Sequence, residues 1–152
     1  RRSERLPWAR PMLDNLGLQP ALQALCDDFG ERLGVPVIAD LHPPTLSRSA
    51  ELTVYRLVQE SLTNVAKYAQ AGEVRVNLHQ DATHTEVSVQ DNGRGFDPQQ
   101  VPSARHGLLG MRYRIEAEGG QLLLRSAPGQ GTRVQARLPH LDTATAPLPT
   151  ST

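Results

Sequence analysis

The stretch YRLVQESLTNVAKYA (55–69) carries apolar residues at helical spacing and predicts the second half of a helix from about residue 49 to 70. At about 100° per residue, Asn64 and Lys67 lie within about 40° of Glu60, opposite the apolar stripe. This polar side has two interpretations. It is either the solvated face of a surface helix, which the helix alone favours, or a metal–phosphate site. In such a site Asn64 offers Mg²⁺ an oxygen ligand, Lys67 holds a phosphate, and Glu60 holds a water or accepts a proton.

Length and composition limit the classes of protein that are possible. The 152 residues suit one domain, and the formal net charge of zero gives no electrostatic argument for nucleic acid or an acidic membrane surface. The single Cys26 excludes an intramolecular disulfide and a cysteine-based metal cluster. No apolar run reaches membrane-spanning length, and no signal peptide is recognisable.

Periodicity predicts helices and strands outward from the central helix. Strands follow one another directly in two places, which favours a mixed sheet covered by one layer of helices over a doubly wound parallel sheet. The predicted elements are a helix at 18–33, a strand at 35–41, the helix at 49–70, strands at 74–78 and 85–89, a loop at 91–107, a helix at 108–120 and strands within QLLLRSA and TRVQARLP.

The loop begins with DNGRG (91–95), and one interpretation of this stretch is an ordinary turn without a function, because Asn-Gly is a common turn dipeptide. A calcium loop is excluded, since its twelfth position is Pro102 rather than glutamate, and neither a Walker loop nor a dinucleotide fingerprint matches. What remains is an acid beside two glycines, which let a flat ligand approach the backbone. The Asp91 carboxylate is a suitable acceptor for an exocyclic amine such as that of adenine.

Two further glycine motifs have structural and functional interpretations. The stretch GLLG (107–110) predicts either a helix entry with tolerated glycines or a phosphate-binding helix start with hinges for a lid. The stretch GQGT (129–132) predicts a hairpin turn, with Thr132 as a candidate hydroxyl ligand.

The order QESLTNVAK, DNGRGF, HGLLGM, GQGT resembles the N, G1, G2 and terminal boxes of the ATP-binding domain of sensor histidine kinases. That domain belongs to the superfamily shared with gyrase, the mismatch-repair ATPase and the Hsp90 chaperone. Four segments are similar in sequence to kinases of the nitrate/nitrite-sensor and thermosensor type. They are YRLVQESLTNVAKYA, DNGRGFDP, GLLGMRYRIEAEGG and SAPGQGTRVQARLP. The resemblance extends over residues 11–139.

The resemblance implies an α/β (α+β) two-layer sandwich of the Bergerat type, with a mixed sheet of about five strands covered on one face by three helices. It implies ATP and Mg²⁺ as cofactors, with Asn64 as the metal ligand, Glu60 as the catalytic acid of the N box, and Lys67 on a phosphate. The remaining cofactor-binding residues that it implies are Asp91 at the adenine amine, Gly93 and Gly95 beside the base, Gly107, Leu108 and Gly110 in the lid, and Thr132 acting through water.

Two residues depart from the family pattern. Tyr68 stands where histidine often follows the lysine, which concerns the phosphate side, and Tyr113 stands where an acid is common, which concerns lid or helix packing.

The resemblance also implies partners. The five histidines precede Pro43, Gln80, Thr85, Gly107 and Leu141, so none has the acid that usually follows a phospho-accepting histidine. The acceptor is therefore expected on dimerisation helices outside this chain, with relay to a response regulator. We expect residues 1–13 to end the upstream dimerisation region or linker, 14–139 to form the catalytic domain, and 140–152 to be a disordered tail.

The full-length protein is expected to be a homodimer and this chain a monomer, without nucleic acid as a partner. The domain is expected in the cytoplasm, with the full-length protein a candidate for anchoring in the bacterial inner membrane. Two alternatives stay open, an anti-sigma-factor serine kinase and a non-catalytic nucleotide-binding module. The short lid and the GLLGMRYRIEAEGG segment argue against the first, and the intact boxes against the second.

Overall fold

The computed structural model describes residues 9–94 and 102–140, in which five strands form one sheet beneath a layer of helices. In chain order the elements are α1 (Ala9–Leu16), α2 (Leu18–Leu33), β1 (Val37–Leu41), α3 (Arg48–Asn64) with a π-helical turn (Val65–Ala69), β2 (Val74–Gln80), β3 (His84–Asp91), α4 (Pro102–Ala117), β4 (Gln121–Ser126) and β5 (Thr132–Pro139).

The sheet is mixed, and its strand order is β1-β2-β3-β5-β4. Only the β1–β2 pair within it is parallel, because α3 crosses over between these two strands; the other pairs are antiparallel. Strands β3 and β5 are therefore central, with Asp91 at the end of β3 directly opposite Thr132 at the start of β5.

One face of the sheet is covered and the other is open. In β2, Val74, Val76 and Leu78 are buried, whereas Arg75 between them is exposed. The same alternation in β5 buries its apolar side against α2, α3 and α4, as a half-buried strand requires. The predicted two-layer sandwich of about five strands under three main helices is confirmed, with α1 as an additional short helix.

The helix predicted over residues 49–70 is not α-helical throughout. Ser47 caps α3, since its Oγ accepts a hydrogen bond from the Ala50 N–H at 3.1 Å. After Asn64 the chain continues as the π-helical turn and ends at Gln70, which has a left-handed backbone with φ 50°. The prediction of one regular helix to residue 70 was therefore wrong in its last turn. Because a π turn holds more residues than an α turn, the 100° spacing used for Lys67 does not apply there.

Two helix starts also differ from the sequence prediction. The last helix begins at Pro102 rather than at residue 108, so part of the predicted loop is helical. Helix α1 lies where a connector was predicted, and its Leu13 is buried in the core. Proline concealed both starts, because Pro102 occupies the first helical position and Pro11 the first turn, where proline is tolerated.

The core encloses the only cysteine. Cys26 on α2 has no exposed surface, and burial, with a smaller contribution from the charge of Asp27, raises the pKa of its thiol to about 12. Within residues 9–94 and 102–140, no helix has the length and apolar character needed to cross a membrane.

Candidate functional site

A cleft that is open to solvent lies between the helix layer and strands β3 and β5. We call it the central cleft. It brings together four of the residues singled out in the sequence, from four separate motifs. Its lining residues are Ser61, Asn64 and Val65 at the end of α3, Leu108 on α4, Val89 and Asp91 on β3, and Thr132 and Val134 on β5.

The α3 side of the cleft presents two buried polar side chains. Asn64, the last residue of α3, is only 7% exposed, so its place is not a solvated helix face. Ser61 lies one turn earlier and is 3% exposed, and its Oγ has no hydrogen-bond partner among the described residues. A buried, unpaired hydroxyl costs free energy unless something occupies the cleft beside it.

Sequence reasoning missed Ser61. Its signal was available, because a serine three residues before Asn64 lies about 60° from it on the helical wheel, at the border of the polar side. Serine is common on any helix surface, however, and only the structure shows that this one faces a cleft.

Helix α4 lies against Glu60, the acid of the same helical stretch. Glu60 is half-buried, and a Cβ at Gly107 would come too close to its carboxylate for either group to stay in place. At Gly110 an added Cβ would meet nothing within 4 Å. The two glycines of the same motif therefore have different surroundings, and only Gly107 is required for the close approach to Glu60.

The strand side of the cleft is built around Asp91. This carboxyl is 5% exposed, and its Oδ1 accepts a hydrogen bond from the Gly93 N–H at 2.7 Å. Burial raises the pKa of Asp91, although hydrogen bonds from the backbone N–H groups of Gly93 and Thr132 partly oppose the rise. Two backbone N–H groups therefore hold the Asp91 carboxyl at the end of β3, where it lines the cleft.

The glycine-rich turn before β5 fits against this acid. Gly131 has φ 73°, and a Cβ on it would collide with the main-chain carbonyl of Asp91, so glycine is needed twice over. Thr132 follows at once and is buried, with its Oγ1 2.7 Å from the Oγ of Ser126 on β4. The close approach of the turn sets the hydroxyl of Thr132 beside Asp91.

The turn after Asp91 is fastened on both sides. The Asn92 Oδ1 accepts hydrogen bonds from the Gly72 and Glu73 N–H groups, both at 2.9 Å, which ties the turn to the segment leaving the π-helical turn. On the other side the Gly129 N–H donates to the Arg94 carbonyl. Three motifs that are far apart in sequence thus meet at one end of the sheet.

Other predicted residues lie outside the lining of the cleft. Lys67 is exposed on the π-helical turn, and Gly110 is half-buried on α4. Gly95 lies outside the described residues, as does the predicted tail from residue 141 onward. Tyr113 is 66% exposed on α4, so it does not pack in the core of the described residues, and its role in the lid or in helix packing stays a prediction.

The sequence and this geometry define a class of protein. Residues 49–142 match the model of the family described as histidine kinase-, DNA gyrase B-, and HSP90-like ATPase. The chain belongs to this family, which confirms the resemblance drawn from the four boxes. ATP is accordingly the nucleotide that the domain binds.

Curated relatives narrow the class. The chain is 35% identical over 133 residues to the signal transduction histidine-protein kinase/phosphatase DegS of Brevibacillus brevis and 34% identical over 133 residues to the nitrate/nitrite sensor protein NarX of Escherichia coli. Both matches cover 86% of this chain but only 34% and 22% of the relatives, and LiaS of Bacillus subtilis is similar at 32% identity. The chain thus spans about a third or less of the length of these relatives.

Solved structures agree on the fold. The histidine kinase domain of the blue-light activated histidine kinase of Erythrobacter litoralis superposes with a TM-score of 0.71 at 21% identity, covering 84% of this chain and 63% of that one. The mycobacterial sensor histidine kinase MprB gives a TM-score of 0.59 at 24% identity, covering 78% of this chain and 94% of that one.

Proposed function

We propose that this chain is the ATP-binding catalytic domain of a two-component sensor histidine kinase, formed by about residues 14–139. It directs the γ-phosphoryl group of ATP to a histidine on dimerisation helices outside the chain, for relay to a response regulator. The observation that carries the proposal is the central cleft, because Asn64, Asp91 and Thr132 from three separate motifs line this one cleft. The sensor-kinase identity of the curated relatives supports the same reading.

The strand end of the cleft suits the adenine base. The Asp91 carboxylate accepts the exocyclic amine, while Val89 and Val134 supply apolar contacts for the rings. The hydroxyls of Thr132 and Ser61 lie in the same lining and are candidates for hydrogen bonds to the base or to a water beside it. The proposed roles of Gly93 and Gly95 are to let the base approach the backbone.

The helix end of the cleft suits the metal and the phosphates. The buried Asn64 amide offers a neutral hard oxygen, which Mg²⁺ accepts in an octahedral shell completed by phosphate oxygens and water. When bound, Mg²⁺ would supply charge neutralisation at the transferring phosphoryl group. Glu60 lies one turn before Asn64, and its proposed role is to hold a metal-bound water or accept a proton. The proposed role of the exposed Lys67 is to contact the phosphates.

Helix α4 is the proposed lid element, with Leu108 closing the cleft from above. The partners of the domain are expected to be the dimerisation helices of the same full-length homodimer and a response regulator. We place the domain in the cytoplasm, where ATP is available.

The two glycines of α4 predict different responses to alanine. Gly110→Ala should stabilise the protein by roughly 0.5–1 kcal/mol, because alanine favours the helix and the added methyl meets no atom. Gly107→Ala should gain less, or lose stability, since the methyl must displace the Glu60 carboxylate. Urea unfolding of both variants measures the difference, and equal gains at the two positions would contradict the proposed packing of Glu60 on α4.

The function is tested by phosphotransfer in trans. The full chain is incubated with ATP labelled at the γ-position, Mg²⁺ and a dimerisation-helix fragment that bears the phospho-accepting histidine. We expect Mg²⁺-dependent label on the fragment that is lost in acid and kept in alkali, as phosphohistidine is. Acid-stable phosphoserine would instead assign a serine kinase, and ATP binding without transfer to any fragment would leave only a nucleotide-binding module.

A further inference from the structure

Three metal-ligating side chains meet on the open face of the sheet, away from the central cleft. We propose that Asp40, His42 and His79 form a binding site for a borderline divalent cation such as Zn²⁺. The three donor atoms lie within 4.8 Å of one another, and all three side chains are exposed.

The sheet itself brings these residues together. Asp40 lies on β1 and His42 directly follows the last residue of that strand, so the two side chains, two positions apart in extended backbone, point to the same face. The register pairs Leu41 with Leu78, and the His42 N–H donates to the Leu78 carbonyl at 2.9 Å, which makes His79 the neighbour of His42 on β2. One residue of β1, the residue that follows this strand and one residue of β2 thus form a ligand set that the sheet holds in place.

The two distances from the Asp40 carboxylate to the imidazoles are close to the ligand separation around a tetrahedral cation, and all three donor atoms lie within 4.8 Å of one another. Asp40 Oδ1 lies 3.3 Å from His42 Nε2, and Asp40 Oδ2 lies 3.1 Å from His79 Nε2. Bonds of about 2.0–2.1 Å from Zn²⁺ to imidazole nitrogen or carboxylate oxygen give a ligand–ligand separation of about 3.3 Å. Two imidazoles and a carboxylate are a common ligand set for zinc, with water in the fourth position.

The surroundings favour a cation and limit the freedom of the ligands. The residue opposite His79 on β3 is Glu86, which adds negative potential even though Gln135 and Arg137 contact it. His42 precedes Pro43, and a residue before proline is restricted to extended backbone, which keeps its side chain beside His79. The rings of His42 and His79 already lie with centroids 4.6 Å apart.

The same contacts also suit two neutral imidazoles that donate to one carboxylate without any metal, so the test must measure metal. The full chain is titrated with Zn²⁺ by calorimetry without nucleotide or Mg²⁺, and with Co²⁺ by visible absorption. We expect one saturable site per chain and at least ten-fold weaker binding after His42→Ala, His79→Ala or Asp40→Asn.

The chain offers a matched control. His84 lies at the start of β3, with its Nδ1 2.8 Å from the hydroxyl of Thr83. His84→Ala should leave Zn²⁺ binding unchanged, and Cys26 does not contribute, because its thiol is enclosed in the core. Zn²⁺ should also raise the melting temperature of the wild-type chain and of His84→Ala but not of His79→Ala.

The proposal is overturned if the wild-type chain shows no saturable site, or if binding survives both His42→Ala and His79→Ala. Circular dichroism establishes that the variants fold, which we expect because the side chains are 48–59% exposed. ATP binding in the central cleft uses other strands and the other face of the sheet, so either result leaves the proposed function untouched.

Discussion

Asp91→Asn is expected to weaken ATP binding on the order of 100-fold while leaving the nucleotide-free protein at least as stable at pH 7. The carboxylate has acceptors on both edges, and Oδ1 is already used by the Gly93 N–H. An asparagine has one acceptor oxygen. Whichever way the amide is turned, its NH₂ group faces a donor, either the backbone N–H or the amine of adenine. An unmatched buried donor costs about 1–3 kcal/mol. Because about 1.4 kcal/mol corresponds to a ten-fold change in affinity, the upper end of this range corresponds to about 100-fold weaker ATP binding.

The stability of the variant follows from the direction of the pKa shift. Burial raises the pKa of Asp91 in the folded protein above its unfolded value. A group with a raised pKa favours folding when protonated, and this contribution is lost as the pH rises through the folded pKa. At pH 7 the ionised carboxylate therefore opposes folding. Asparagine removes this cost, and its advantage should shrink as the pH falls toward the unfolded pKa of aspartate, about 3.9.

Calorimetric titration with ATP and urea unfolding at pH 4 and pH 7 measure the two effects. Asp81→Asn is the matched control, because backbone hydrogen bonds from Thr83 and His84 lower the pKa of this exposed aspartate to about 2. Its substitution should decrease stability at pH 7 and leave ATP binding intact. Unchanged affinity in Asp91→Asn would remove Asp91 from the base site.

Asn64→Ala is expected to slow phosphotransfer to a supplied dimerisation fragment by about 100-fold or more, because a preorganised group at the transferring phosphate is lost. The affinity for ATP should also lose its dependence on Mg²⁺, since the proposed protein ligand is gone. Binding measured with Mg²⁺ and with a chelator, together with the transfer rate, separates metal loss from base recognition.

A conservative variant and a control variant test the explanation for the effect of Asn64→Ala. Asn64→Asp keeps an oxygen ligand and adds a charge, so it should retain part of the Mg²⁺ dependence. Asn77→Ala removes a half-buried asparagine from the middle of β2, on the open face, and should change neither rate nor affinity. If Asn64→Ala transfers phosphate at the wild-type rate, the catalytic assignment of Asn64 is wrong.

The fold was predictable from the sequence where the spacing of apolar residues indicates a helix or a strand. Alternation in β2 and β5 and helical spacing in α2 and α3 gave the correct elements, and their order gave a one-sided mixed sheet. The π-helical turn was not predictable, because its residues are ordinary helix formers and the π geometry is not written in their periodicity.

The site was predictable where a motif carries its own chemistry. Asn64, Asp91, Leu108 and Thr132 meet in the central cleft as the spacing of the boxes implied. Ser61 was missed because its function depends on what lies opposite it. The cluster of Asp40, His42 and His79 was missed because it arises from strand register across about forty residues, which no local pattern reveals.

The central cleft joins two parts of the molecule that we expect to open to solvent at different rates. Asp91 and Thr132 lie on strands that are hydrogen-bonded on both sides, so their amide protons should exchange slowly with solvent. Asn64 and Lys67 lie where an α-helix gives way to a single π turn that ends in a left-handed residue, and we expect this end of the helix to exchange faster. A nucleotide would therefore be held by its base and released from its phosphates first, so that exchange of spent for fresh nucleotide begins at the helix end.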